Sequence, residues 1–170
     1  MKNLLISNLR NSALIYLMIC AGLMGIYPIS MAQDSPWTRK ADIPTGRHSH
    51  AACVVDGKIY VTGGRYTQTQ VAEYDPATET WTTKASMLQP RMIHACCVVN
   101  GKIYAIGGLA KAYDPALNTI EEYDPVKDIW TLKKNMPTKR LGLGASVVDG
   151  KIYAIGGMTS GSNFWSGMHD

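Results

Sequence analysis

The stretch Asp56-Gly57-Lys58-Ile59-Tyr60-Val61-Thr62-Gly63-Gly64 decides the fold. It returns as Asn100-Gly101-Lys102-Ile103-Tyr104-Ala105-Ile106-Gly107-Gly108, and again as Asp149-Gly150-Lys151-Ile152-Tyr153-Ala154-Ile155-Gly156-Gly157. The turn glycines Gly57, Gly101 and Gly150 stand roughly 45 residues apart, a period that belongs to repeat architectures. Asp-Gly or Asn-Gly between apolar alternations is the strongest short-range hairpin signal, because both central residues of a type I′ turn need positive φ. The run after each turn is β-rich and stops at two glycines, where a side chain is excluded or the backbone is unusual. Each copy therefore reads as strand, tight turn, strand and a glycine-marked exit.

Other landmarks keep step with the hairpins. Trp37, Trp81 and Trp130 recur, and Arg47, Arg91 and Arg140 lie midway between each Trp and the next turn glycine. Val71-Ala72-Glu73-Tyr74-Asp75-Pro76 pairs with Ile120-Glu121-Glu122-Tyr123-Asp124-Pro125. Asp-Pro is turn chemistry, since Asp bonds the backbone ahead of it and Pro holds φ. The second repeat is longer, and its extra residues lie between Gly108 and Ile120. They include a decoy, Ala112-Tyr113-Asp114-Pro115, at the wrong distance from Trp130.

Four short strands per repeat follow. Strand A runs over 50–55, B over 58–62, C over 70–74 and D over 80–84. The second repeat places them over 94–99, 102–106, 119–123 and 129–133. The third repeat supplies 143–148 and 151–155. Strand B is apolar at nearly every position, as expected of a strand covered on both faces. Four-stranded units of this length, arranged radially, are propeller blades.

The order Arg, strand, Asp/Asn-Gly-Lys-Ile-Tyr, Gly-Gly, Glu-Tyr-Asp-Pro, Trp resembles the kelch repeat, over residues 37–157. The resemblance implies an all-β fold of kelch-type β-propeller blades, each a four-stranded antiparallel meander. The repeats occupy 33–157, with a lone strand D at 37–40, repeat 1 at 47–84, repeat 2 at 91–133 and a partial repeat 3 at 140–157. Residues 158–170 form an irregular tail in which Phe164-Trp165 falls near the place of a further strand C. The landmarks Gly63, Gly64, Tyr74, Trp81, Gly107, Gly108, Tyr123, Trp130, Gly156 and Gly157 are structural, with Tyr and Trp packed between blades. A propeller needs roughly four to eight blades to close, so the ring is incomplete or open. Three explanations compete: a piece or truncated product of a longer propeller, without independent function; copies that associate to close a ring; or an open β-assembly.

Residues 1–32 differ from the rest. Lys2 and Arg10 precede an uncharged, largely apolar run from Ala13 to Tyr27, Pro28 follows, and Ser30-Met31-Ala32 offers small residues before a cut after Ala32. This is the layout of a signal peptide, so the mature chain is expected to be secreted or periplasmic. The alternative is an uncleaved membrane anchor. A lipoprotein reading of Cys20 suffers from bulky Ile19 before it. The formal charge of +4, from 17 basic and 13 acidic residues, approaches neutrality once Lys2 and Arg10 leave with the leader. No basic stripe remains, and no nucleic-acid partner is expected.

Cys53, Cys96 and Cys97 remain in the mature chain. An odd number is not a disulfide framework, and the expected role is small apolar filling of buried strands. A strained bridge between the neighbours Cys96 and Cys97 is the alternative.

A four-strand meander puts the D–A and B–C loops on one face. In kelch-like proteins, residues after the repeat Arg and in the B–C loops commonly build the ligand pocket. Carried over by position, these are Arg47, His48, Ser49 and His50, then Arg91, Met92, Ile93 and His94, then Arg140, Leu141 and Gly142. The B–C loops are 65–69, 109–118 and 158–163. The arginines have two readings: an anion-binding rim, or ties that hold loops together, which weighs more. His50 and His94 make a weak metal signal without a third ligand, and Leu143 at the same place in repeat 3 points to packing. No cofactor or metal is expected.

Nucleophile elbow, metalloprotease helix and phosphate loop are all missing. The expected function is therefore a secreted kelch-repeat binding module whose partner is a protein or a carbohydrate. The alternative is a piece of a sugar-active propeller enzyme, sialic-acid mutarotase-like or galactose-oxidase-like, with Arg47, His50 and Arg91 near the substrate.

Overall fold

A computed structural model describes residues 4–7 and 37–159. Its elements are all strands: β1 (Leu4–Ser7), β2 (Trp37–Lys40), β3 (Ala51–Val55), β4 (Lys58–Thr62), β5 (Val71–Asp75), β6 (Thr80–Lys84), β7 (Ala95–Val99), β8 (Lys102–Ile106), β9 (Ile120–Asp124), β10 (Ile129–Lys133), β11 (Gly144–Val148) and β12 (Lys151–Ile155). Strands β3 to β6 form one four-stranded antiparallel meander, and β7 to β10 form a second. β11 and β12 pair as the inner half of a third. These are the blades read from the repeats, an open arc of a kelch-type propeller. Strands A and C start one residue later than expected, and in strand A it is His50, His94 and Leu143 that sit in the loop crossing rather than the ladder.

The strand expected to stand alone does not. β2 pairs antiparallel with β1, Leu4 opposite Lys40 and Ser7 opposite Trp37. Thus Leu4–Ser7, inside the segment read as a leader, lies beside the first strand of the repeats. The remainder of that segment, with the cut after Ala32, lies outside the described residues, as do Phe164 and Trp165. Ala112 to Pro115 forms no strand, in keeping with its wrong spacing.

The hairpins follow their sequence chemistry. Asp56, Asn100 and Asp149 all take φ 49, and Gly57, Gly101 and Gly150 take φ of 77, 72 and 70, so both turn residues are left-handed. Asp and Asn tolerate this region better than other non-glycine residues.

The core lies between blades. Inner strands β3, β7 and β11 are neighbours in sequence order. Residues alternate across a strand, so Cys53 and Val55 face the second blade. They join a cluster with Ile103, Ala105, Tyr123 and Trp130, and Cys96 and Val98 pack on its edge. Ala95 and Cys97 point the opposite way and pack with Ile106, Met136 and Leu143, with Ala145, Ile152 and Ala154 on the edge. Tyr74 and Tyr123 are fully buried, each against its own Trp, with ring centroids 5.0 and 4.9 Å apart. The tryptophans tie blade to blade: Trp81 Nε1 donates to the Ala41 carbonyl at 3.0 Å, and Trp130 Nε1 to the Ala85 carbonyl at 2.9 Å.

The glycine doublet is a junction. The Gly64 N–H donates to the Arg91 carbonyl at 3.1 Å, and the Gly108 N–H to the Arg140 carbonyl at 2.8 Å. A Cβ on Gly63 would stand 2.3 Å from the Arg91 oxygen, and one on Gly107 would stand 2.4 Å from the Arg140 oxygen. Both reasons for glycine hold, since Gly63 also takes φ 58.

Candidate functional site

The D–A and B–C loops meet on one face through short bridges, His48 with Arg65, Met92 with Leu109 and Leu141 with Met158. Met158, expected in the tail, thus still belongs to the repeat. Each bridge continues the inner strands past the glycine doublet. The face is held by backbone bonds such as Arg65 N–H to the His48 carbonyl at 2.8 Å.

The arginine row divides. Arg91 is fully buried and is not a rim residue. Its Nη1 donates to the Gly107 carbonyl at 2.8 Å and its Nη2 to Glu121 Oε1 at 2.6 Å. Glu121 is equally buried and also accepts the Leu88 and Gln89 N–H groups, at 2.7 and 3.0 Å. Buried charges persist only when paired and hydrogen-bonded, and here the pair meets both conditions except at Arg91 Nε, which is buried without a hydrogen-bond partner among the described residues. Repeat 1 has Ala72 where repeat 2 has Glu121. Arg47, half-buried, therefore makes only long bonds, to the Thr45, Gly63 and Gln70 carbonyls and Gln70 Oε1 at 3.3 to 3.4 Å. Arg140 donates to the Gly156 carbonyl at 2.5 Å. In each repeat the arginine donates to the carbonyl of the first glycine of its own doublet, Gly63, Gly107 or Gly156.

Met92 and His94 also leave the candidate rim, being 2% and 6% exposed. Met92 packs with Leu109, Ala116 and Leu141. His94 Nε2 lies 2.8 Å from Thr62 Oγ1, across the blade junction. Thr62 Oγ1 donates to the Ala51 carbonyl at 3.5 Å, so the imidazole donates from Nε2 and keeps Nδ1 bare, without a partner. Burial, then the charges of Arg91 and His50, lowers the His94 pKa to about 3, and the ring is neutral. At the next junction the same two positions hold Ile106 and Leu143, both buried in one apolar cluster. Polar faces polar at the first junction, and apolar faces apolar at the second. The packing read from Leu143 thus extends to His94.

His48, Ser49 and His50 are on the surface side of the first blade. His48 Nδ1 and Ser49 Oγ lie 2.9 Å apart. Partial burial of the His50 ring, then the charges of Arg47 and His48, lowers its pKa. Sequence reasoning did not single out their chief neighbour, Tyr66, which is 72% exposed and holds φ 73. The His48 ring meets it edge-on at 6.0 Å, and the Arg65 guanidinium lies over it at 5.6 Å. Tyr113, 67% exposed with φ 69, occupies the longer loop of the second blade. Both tyrosines sit in non-repeating loop sequence, where a period carries no signal. The available clue was a large aromatic just past a glycine doublet.

Blades joined through their inner strands, with variable loops gathered on one face, define a propeller-type repeat protein. A family model, the KLHDC2/KLHL20/DRC7 Kelch-repeats domain, matches residues 26–166, and the chain belongs to the kelch-repeat family. No curated protein matches it. Among solved structures, the one titled "Structure of YjhT" is similar, with 22% identity and a TM-score of 0.63, over 69% of this chain and 35% of that one. The chain thus spans about a third of that structure's length. That likeness bears on the fold alone.

Proposed function

We propose that the chain is a secreted kelch-repeat binding module, and that its partner, a protein, docks on the loop rim of the first blade through His48, Ser49, Arg65 and Tyr66. The observation that carries this is Tyr66, an aromatic ring 72% exposed at a backbone φ of 73. A bulky residue in that region costs free energy and persists at functional positions more than elsewhere. The ring is already oriented by His48 and Arg65, so little side-chain entropy remains to be lost on docking. Tyr and Arg are the residues that most often anchor protein interfaces. Kelch repeats as a family suit this role, and the charged and apolar order of residues 1–32 supports export.

A carbohydrate is the second reading, favoured by the exposed Tyr66 face, which would stack on a sugar ring. The test is to pan the immobilised full chain against extracellular proteins and against a glycan array, each in parallel with Tyr66→Ala and His48→Ala. Protein ligands lost by both variants are the expected result. Glycan ligands lost by both favour the second reading. Ligands retained equally by the variants would remove the rim from the function.

A further inference from the structure

The cysteines fill the apolar interblade clusters, as their expected packing role requires, but two of them share one junction. Cys96 and Cys97 are chain neighbours in β7, so their side chains leave opposite faces of the strand. Cys97 packs into the junction with the third blade, where Ala145 lies on the edge of its cluster. Cys96 packs into the junction with the first blade, in the same cluster that Cys53 joins from β3. The two strands are held side by side, with the Ile93 N–H donating to the Ser49 carbonyl at 2.8 Å just before both begin. Only this junction brings two thiols together among the described residues. Repeat 1 has Ala52 where Cys96 stands, and repeat 3 has Ala145. Cys53 and Cys96 are each partly exposed, while Cys97 is buried. All three are free thiols in the structure.

We propose that Cys53 and Cys96 form an interblade disulfide, made by exchange with a disulfide-bearing oxidant, that fastens the first blade to the second. The Cys53 thiol packs at the same cluster as Cys96, and its nearness holds Cys96 below its ordinary pKa against the opposing effect of burial, while Cys96, then burial, raises that of Cys53. Cys96 is therefore the attacking thiolate. It displaces one thiolate from the oxidant and forms a mixed disulfide. Cys53 then attacks the Cys96 sulfur, giving its proton to the second departing thiolate. Two protein thiols are oxidised, and the oxidant's disulfide is reduced to two thiols. Cys97 takes no part, because burial, then the charge of Cys96, raises its pKa to about 11 and its side chain faces away.

Bridging residues on neighbouring elements restricts the unfolded chain, most for long loops. The junction is held by side-chain packing and by hydrogen bonds such as Trp130 Nε1 to the Ala85 carbonyl rather than by a strand ladder, so a covalent link there acts directly on blade separation. The test uses the full chain treated with glutathione disulfide, then alkylated with iodoacetamide under denaturing conditions without reductant, digested and mapped by mass. The expected result is one linked peptide pair, Cys53 with Cys96, with Cys97 alkylated. The thermal midpoint should rise on oxidation and fall back with dithiothreitol. Cys97→Ser should keep both effects, and Cys53→Ser should lose both. A Cys96–Cys97 link, links between chains only, or full alkylation of all three cysteines after oxidation would each overturn the proposal. The mapping on the unaltered chain decides the matter even if a variant does not fold.

Discussion

The Thr62–His94 pair should behave as one half of a matched set. Ile106 and Leu143 occupy the same positions at the next junction, so the double variant Thr62→Ile/His94→Leu transplants a combination that the chain already uses. Thr62→Ile alone removes the hydroxyl at 2.8 Å from Nε2 and leaves a buried imidazole without either partner. An unsatisfied buried polar group costs about 1–3 kcal/mol. His94→Leu alone leaves the Thr62 hydroxyl with only its 3.5 Å contact to Ala51, at the lower end of that range. The double variant removes both polar groups, so its cost should fall below the sum of the singles by about 1–3 kcal/mol.

A pH dependence travels with the histidine. The folded pKa is about 3 against an ordinary 6.5, so only the unfolded chain takes up this proton below pH 6.5. Stability from His94 is complete above pH 6.5 and is lost progressively as pH falls toward 3. Between pH 6.5 and 5 the loss is about 2 kcal/mol, at about 1.4 kcal/mol per pH unit. Urea unfolding of the full chain and the three variants at pH 7 and pH 5 measures both quantities. Additive single costs, or an unchanged pH slope in the double variant, would refute the matched-junction reasoning.

Four further outcomes follow from the same contacts. Arg91→Ala should destabilise by about 3–5 kcal/mol by stranding Glu121, whereas Arg47→Ala, facing Ala72, should cost about 1 kcal/mol or less; denaturant midpoints separate them. Gly63→Ala should lower the midpoint far more than Gly156→Ala. Both positions have positive φ, but Gly63 has a carbonyl 2.3 Å from the added carbon, whereas no described residue comes within 4 Å at Gly156. Glu122 is held at about 2 by its hydrogen bond from Tyr104, then by Lys133 and Lys102, against an ordinary 4.5. Its contribution is therefore present above pH 4.5 and lost as pH falls toward 2, and acid unfolding of Glu122→Gln should start from lower stability with a shallower slope over that range. Ile155, 61% exposed, holds the position of Thr62 and Ile106. In a head-to-tail pair it would meet His50, a mismatch to both natural junctions. Light scattering should find weaker self-association in the unaltered chain than in Ile155→Thr, which restores a Thr–His pair.

Blade type was legible from local chemistry. Asp56-Gly57, Asn100-Gly101 and Asp149-Gly150 set the hairpins because type I′ geometry admits few residues, and that choice depends on the chain's own backbone. The recurring Tyr and Trp marked the outer strands, because every blade must fill the same wedge against its neighbour. Strand edges drifted by one residue where His50, His94 and Leu143 had to serve the loop crossing instead of the ladder. Tyr66 escaped notice, since exposure of a loop residue depends on which chain segments pass over it.

The amino-acid order by itself determined the repeat, the hairpin register and the shared face of the D–A and B–C loops, because each follows from short-range sterics and strand alternation. Only the tertiary structure decided what equivalent residues do. Arg91 is buried and paired with Glu121, whereas Arg47 stands half-exposed in a repeat that has Ala72 at that place. His94 is polar because Thr62 faces it across a junction, and Cys96 meets Cys53 while Cys97 does not. Equivalent positions in a repeat share a backbone. Their chemistry is set by the neighbouring blade, whose contribution lies dozens of residues away in the chain.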